Sequence, residues 1–547
     1  MMWFLGWTRF ALSHGYNPLF SDFLDYPHGV NLMWNSSTLL PGALLSPVTA
    51  WQGPVVAYNL LLTLSLPLSA WCAYLAIGRW VTSRNAAVVG GLLYGFSPYM
   101  MAQALAHVNL TLAFAPPLVL LLLHNLLAQH GGATRTGLAL GTLAAVQLLT
   151  WEEILATSVL IALIGVLLLL GLRRDRVDAR QVGHVGRGLG VAAATFLLLG
   201  AVPLAAQFLG PQRVSGAVHA HSFFATDLLN LVVPSRVQLM APLAALHVSN
   251  HFWANVYEQN GYLGLPLLTL LVYIAVRWWA HLVVRWASLL TAITVVLSLG
   301  AHLMVGGHVL PVALPWHAVE HLPLLENILP ARLMLYVYLL AGVLLAFYLD
   351  QGRRPRARPR VAYTFVALAL VPLIPQPTHP ITNDVVPAFF RGDGVRHIPD
   401  GSVALIAPLV PYYNPYHDGP YSRAMLWQAM AGMRFRMPEG YAFVPHPSTG
   451  PASSRPGSAI KTVMLAIQAG RAAPEMTARL RHQLLDDLSA WHVRTVIIGP
   501  MGNRTAMRLF FTRLLDQPPV WSGGVEVWWH ADHMVALADL HAGRGTP

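Results

Sequence analysis

Charge is the scarcest property of this sequence. Only 10% of its 547 residues are Asp, Glu, Lys or Arg, where a soluble domain carries about a quarter. Hydrophobic residues make up 55% and the mean hydropathy is +0.52, so most of the surface must meet something other than water. Cysteine is nearly absent. Cys72 is the only one, which excludes an intramolecular disulfide, a zinc ribbon and a dithiol redox motif. Its place in an apolar run predicts a buried, inert thiol. Acidic residues number 23 against 34 basic ones, a net charge of +11. That excess is no nucleic-acid footprint, because the arginines sit in short loops between apolar runs, where basic residues set membrane orientation. There is no Walker loop, no G-x-S-x-G elbow, no dinucleotide fingerprint, no internal repeat and no low-complexity tract. The opening Met1-Met2-Trp3-Phe4 lacks the basic n-region of a signal peptide.

What the sequence does have is long apolar runs. A spanning helix needs roughly 20 such residues, and about ten segments qualify: 53–78, 86–104, 107–128, 136–151, 153–172, 189–209, 260–279, 285–305, 331–350 and 361–376. Pro116 and Pro117 fall inside the third and predict a kink. Arg79 and Arg84, Arg135, the stretch 173–187, Arg277 and Arg285, and the stretch 353–360 occupy alternate loops. The positive-inside rule makes that set cytoplasmic. Residues 1–52, the turn at His107, Trp151-Glu152-Glu153, the loops 210–259 and 306–330, and everything after 376 then face the other side. Ten spans with an outer C-terminus leave the N-terminus outside as well, with no helix to carry it there. The expectation is therefore a chain that starts downstream of an original first helix, the alternative being a true N-out protein.

After Gln376 the pattern changes. Residues 402–408 (SVALIAP) and 494–499 (RTVIIG) read as buried strands, and 474–491 as a helix with Leu480, Leu484, Leu485 and Leu488 on one side. Residues 445–457 read as a loop. The fold class expected is a polytopic α-helical membrane protein with a C-terminal α/β or α+β domain outside the cytoplasm. Its divisions are 1–52 as an outer interfacial segment, 53–376 as a helical bundle and 377–547 as the C-terminal domain.

Candidate chemistry lies at the outer face. Asp22 and Asp25 sit in a Pro/Gly-rich aromatic loop, where a solvated, structural role is the competing reading. Glu152 and Glu153 share a tight turn near the hydrocarbon, where carboxylates are costly unless paired or facing a polar cavity; capping of a helix N-terminus is the alternative. His107 and Asn109 open another outer turn. Arg332 follows Pro330 at a helix start, and its planar fork suits phosphate; the alternative is an ion pair with Glu320 or Glu326. Arg332, Glu152, Glu153 and His107 are expected at one depth, sharing one cavity. His219 and His221, with Asp227 nearby, have metal-ligand types, but an H-x-H pair alone is a weak signal. No resident metal is expected, a divalent cation being the one open possibility.

Several motifs carry a family likeness. Residues 16–59, with NPLF, GVNLMWNSS, LLSPVTA and GPVVAYNLLL, resemble bacterial membrane proteins of the GT-C glycosyltransferase superfamily. So do GLLYGFSPYM with AHVNL, the WEEILAT turn, NLVVPS, EQNGYLGLPLL (which contains Glu258), and the proline-x-arginine helix start. MLWQAMAGMRFRMPEGYAF, RTVIIGP and GGVEVW resemble the soluble tail of the same group. The resemblance implies transfer of a sugar from a polyprenyl-phosphate carrier to a glycan or lipid acceptor at the outer face of the plasma membrane. It also implies a base in the first outer loop, and basic residues on the lipid phosphate. Asp22, Asp25, Glu152, Glu153 and His107 are the catalytic candidates, and Arg332, Asn109 and Glu258 the substrate-binding ones. Relatives usually begin with a spanning helix followed by an acidic residue, and this sequence lacks both. The rival readings are a transporter or flippase of a lipid-linked precursor and a catalytically inactive scaffold. The partners expected are the bilayer, the donor and the acceptor, with no nucleic acid.

Overall fold

A computed structural model describes residues 1–35, 38–173, 178–218, 224–323, 325–351, 359–377, 386–409, 423–445 and 457–533. In chain order the helices used below are α1 (Met2–His14), α2 (Pro54–Ile77), α3 (Arg84–Gly95), α4 (Pro98–Ala104), α5 (Ala115–Leu127), α6 (Ala133–Leu148), α7 (Glu152–Leu172), α8 (Ala179–Leu209), α9 (Gly264–Arg277), α10 (Leu282–Ser298), α11 (Met334–Gln351), α12 (Pro359–Leu370), α13 (Ala424–Met430), α14 (Ala459–Gln468), α15 (Ala478–Ala490) and α16 (Arg504–Leu515). The strands used below are β1 (Val403–Ala407), β2 (Val493–Ile498), β3 (Val520–Ser522) and β4 (Val525–Trp528). The chain forms two compact units. One comprises Met1–Tyr58, Pro203–Val218 and Thr382–Pro547; the other comprises Asn59–Val202 and His219–Ile381.

The second unit is a helical bundle. Among the described residues five helical segments are long and apolar enough to cross a membrane: Pro54–Ile77, Val108–Leu127, Glu152–Leu172, Ala179–Leu209 and Pro330–Gln351. Each of the other expected segments also contains helix, in shorter pieces. The second expected span is broken, because Ser97 caps a new helix whose first residue is Pro98. Pro116 and Pro117 do not kink a continuous helix. They occupy the first turn of α5, after a short helix Val108–Thr111 has ended, and there a missing N–H costs nothing.

Leu64, Leu68, Trp71 and Leu75 make an exposed stripe on α2 at helical spacing, and Val159, Leu163 and Leu167 make another on α7. Apolar stripes of this length have no place against water. The buried side of α2 carries small polar groups instead: Ser65 Oγ lies 2.6 Å from Thr111 Oγ1, and Ser69 Oγ donates to the Thr111 carbonyl. Small and hydroxylated residues inside with bulky apolar ones outside is how helices pack in lipid. The α11 helix runs through the centre with nearly every residue buried. Gly342 faces Gly90 of α3, and a Cβ on either would come within 2.7 Å of the other's carbonyl oxygen, so both positions need glycine.

The first unit contains a four-stranded sheet of order β1-β2-β4-β3, parallel between β1 and β2 and antiparallel elsewhere. Successive side chains point to opposite faces. Ala404 and Ile406 enter a core with Trp3 and Trp7 of α1 and Trp427 of α13. Val403, Leu405 and Ala407 enter another with α14, α15 and α16. The strand pattern read from 402–408 and 494–499 thus matches β1 and β2, and the expected 474–491 helix is α15. The N-terminal segment belongs to the same compact unit as the C-terminal residues. Burial of Trp3, whose Nε1–H donates to Gln428 Oε1 at 2.5 Å, explains why. Lys461, the single lysine in the sequence, is buried against Glu439 at 2.7 Å. Most of the expected 445–457 loop lies outside the described residues.

Candidate functional site

Arg332 sits on a 3₁₀ turn, Pro330–Leu333, that leads into α11. Its Nη2 donates to Glu258 Oε1 at 2.6 Å and its Nε lies 3.2 and 3.3 Å from the two Glu258 oxygens. Its Nη1 donates to Glu153 Oε2. The three side chains are 12%, 2% and 11% exposed for Arg332, Glu258 and Glu153, so this is a desolvated two-carboxylate, one-guanidinium cluster. Glu153 is placed by the first turn of α7. Glu258 lies in the loop before α9, and that loop is tied to α11 because the Tyr338 hydroxyl donates to the carbonyls of Asn260 and Tyr262.

A second ring of polar groups surrounds the cluster. Gln103 Nε2 donates to Glu258 Oε2 at 3.1 Å, and Gln103 Oε1 lies 2.8 Å from His107 Nδ1. His107 is 3.9 Å from Glu258. Trp151 Nε1 donates to Glu153 Oε2 at 3.3 Å. Burial pushes the Glu258 carboxyl up, but the adjacent Arg332 guanidinium outweighs it, aided by His107 and Gln103, and holds it below the usual carboxylate range. Glu153 Oε1 is buried without a hydrogen-bond partner among the described residues, as are both side-chain atoms of Asn260.

The structure therefore brings together Arg332, Glu153, Glu258 and His107. Glu152 adjoins Glu153 at the start of α7 but makes no ion pair with Arg332 among the described residues. Asn109 is buried in the helix Val108–Thr111. The alternative partners of Arg332 are not used: Glu320 instead contacts His317 and His321. Asp22 and Asp25 belong to the other unit. Asp22 pairs with Arg436 at 3.2 Å, and that guanidinium lies over the rings of Phe23 and Tyr26. Asp25 has φ +53° and its carbonyl accepts from the N–H groups of His28 and Gly29, a turn-forming role. Asp227 is no metal ligand candidate here, because its carboxylate accepts from the N–H groups of Leu229, Gly306 and Gly307; His219 and His221 lie outside the described residues. Gln103 was not singled out from sequence, although its i, i+4 spacing to His107 is a readable signal.

One helical turn beyond the cluster an apolar groove of about 220 Å³ begins. Ser158 and Tyr336 line its near end and His124, Trp80 and Arg173 its far end, with α5, α7, α10 and α11 as walls. The Tyr336 hydroxyl lies 2.8 Å from the Thr157 hydroxyl and 3.0 Å from the Ser158 hydroxyl, between the groove's near end and the cluster. From Ser158 to Arg173 along α7 is about 22 Å.

The fold of this chain is similar to that of solved GT-C glycosyltransferases. The mycobacterial arabinofuranosyltransferase AftD, in a mutant form, is similar over 97% of this chain and 39% of its own, at 15% identity and a TM-score of 0.57. The oligosaccharyltransferase of Archaeoglobus fulgidus matches over 91% of this chain and 64% of its own, at 12% identity and a TM-score of 0.47. The chain thus spans about two fifths of the AftD chain, and the likeness is one of fold. No curated protein sequence matches. Residues 2–373 match the family described as Domain of unknown function (DUF6311), and this chain belongs to that family.

Proposed function

We propose that this protein is a membrane glycosyltransferase that moves a sugar from a polyprenyl-phosphate donor to a cell-envelope acceptor at the outer face of the plasma membrane. The observation that carries the reading is the Glu153–Arg332–Glu258 cluster seated one turn beyond an apolar groove. In this reading all ten apolar segments span, the arginine-rich loops are cytoplasmic and the sheet-containing unit is outside. The lipid tail lies in the groove, and the phosphate reaches the cluster.

The two carboxylates have different surroundings and so different tasks. Glu258, held by Arg332 and Gln103, stays ionised and fixes the guanidinium. Glu153 keeps one oxygen free, and that oxygen takes the proton of the acceptor hydroxyl as it attacks the anomeric carbon. The bond from that carbon to the phosphate oxygen breaks, and the lipid phosphate leaves with the electron pair. A guanidinium has five N–H groups, and those not engaged with Glu153 and Glu258 receive the departing charge. His107 supports Glu258 through Gln103.

The test is transfer in proteoliposomes from radiolabelled polyprenyl-phosphate pentose and hexose donors to envelope glycan. Glu153→Gln should lower transfer by about 10²-fold or more without loss of fold. Wild-type transfer by that variant would overturn the assignment of the base.

A further inference from the structure

The unit that contains the sheet carries a group of potential metal donors unrelated to the carboxylate–arginine cluster. The residues just after β4 read Trp529-His530-Ala531-Asp532-His533. One donor atom each from His530, Asp532 and His533 lies within 4.8 Å of the others. We propose that His530, Asp532 and His533 form a binding site for a divalent transition-metal ion of the zinc type.

The backbone presents these side chains together for a local reason. Ala531, between the donors, is fully buried in the core that also holds Trp528, so the chain is anchored at its middle while His530 and His533 are exposed and Asp532 is half-buried. The His533 N–H donates to the His530 carbonyl at 3.1 Å, folding the segment back on itself. His530 has φ +58°, a left-handed conformation in which histidine is one of the more tolerated non-glycine residues. The two imidazole rings lie 5.5 Å apart and 29° from parallel.

A second observation points to a ligand. Asp532 Oδ1 is buried and without a hydrogen-bond partner among the described residues. Arg494 Nε lies 3.9 Å from Asp532 Oδ2 and is itself a buried donor without a hydrogen-bond partner among the described residues. The Asp532 side chain is 39% exposed as a whole, so it is this one buried oxygen that lacks a partner, and a metal ion would supply one. Two nitrogen donors and one oxygen select zinc, cobalt or nickel over calcium or magnesium, which take oxygen shells. Tetrahedral coordination with bonds near 2.1 Å needs donors about 3.4 Å apart. Metal binding therefore requires the two exposed histidine rings to rotate toward Asp532. Three protein donors leave a fourth position to water or another ligand.

The experiment uses the full chain in detergent, with any affinity tag removed, titrated with zinc by calorimetry and with cobalt by visible absorption. The expected result is one equivalent of zinc with a tetrahedral cobalt spectrum, and no competition from millimolar calcium or magnesium. His533→Ala and Asp532→Asn should each weaken binding by about tenfold or more, and the double variant His530→Ala/His533→Ala should abolish it. His482→Ala, a surface histidine on α15, should bind as wild type. Zinc binding by the double variant equal to wild type, or an absence of the cobalt spectrum in the wild-type protein, would overturn the proposal. Metal binding is read without sugar transfer, so its failure leaves the glycosyltransferase reading untouched.

Discussion

Arg332 answers two buried carboxylates with one guanidinium, and the geometry needs a planar fork: Nε and Nη2 face Glu258 while Nη1 faces Glu153. Replacing it with alanine leaves two acidic groups buried and unpaired, a change that typically costs about 3–5 kcal/mol. Arg332→Ala should therefore lower the thermal unfolding temperature in detergent markedly. Arg332→Lys should fall between, since one ammonium restores charge but cannot engage both partners. An unchanged midpoint for Arg332→Ala would show that the cluster does not hold the bundle. At this scale the sequence made Arg332 and Glu153 legible, because charged residues beside long apolar runs are few. It left open which acid Arg332 meets, since Glu320 and Glu326 are nearer along the chain than Glu153 or Glu258.

Two of the packed helices meet through small residues. The α3 and α11 helices approach through Gly90 and Gly342, and a methyl at Gly342 would lie 2.7 Å from the Gly90 carbonyl oxygen. Gly342→Ala should thus force the helices apart at about 1–3 kcal/mol, read as a lower unfolding temperature. Gly171→Ala, where a methyl meets nothing within 4 Å, should leave stability unchanged or slightly raised, because alanine favours helix. Equal behaviour of the two variants would contradict the packing. Since Arg332 sits on the 3₁₀ turn that leads into α11, and Tyr336 and Tyr338 lie near the start of α11, the Gly342 variant should also perturb the site. Apolar periodicity predicts where these helices lie, but glycine contacts are not readable from one chain because each needs its partner in space.

For the molecule as a whole, the charge asymmetry of the loops translates into a topology. Reporter fusions after Arg84, Arg180 and Arg356 should read as cytoplasmic, and those after Asn230, Gly306 and Pro547 as external. A cytoplasmic C-terminus would overturn this orientation and, with it, the outer-face reaction. Under the expected orientation α7 and the segment Pro330–Gln351 both start outside with the cluster, and the groove between them ends at the cytoplasmic Arg173.

The sequence by itself determined the membrane class, the positions of the apolar helices and the first two strands of the sheet. These follow from local composition and period, which act within roughly 20 residues. It marked Pro116 and Pro117 as a kink inside a helix, although whether a proline kinks or starts a helix depended on what preceded it, and it did not mark the break at Ser97 inside the second expected span. Only the tertiary structure decided the pairings. Arg332 meets Glu258 across 74 positions and Glu153 across 179, and Trp3 meets Gln428 across 425. Such choices depend on which buried groups converge once the helices pack. The desolvation that makes an ion pair compulsory arises only in the folded bundle.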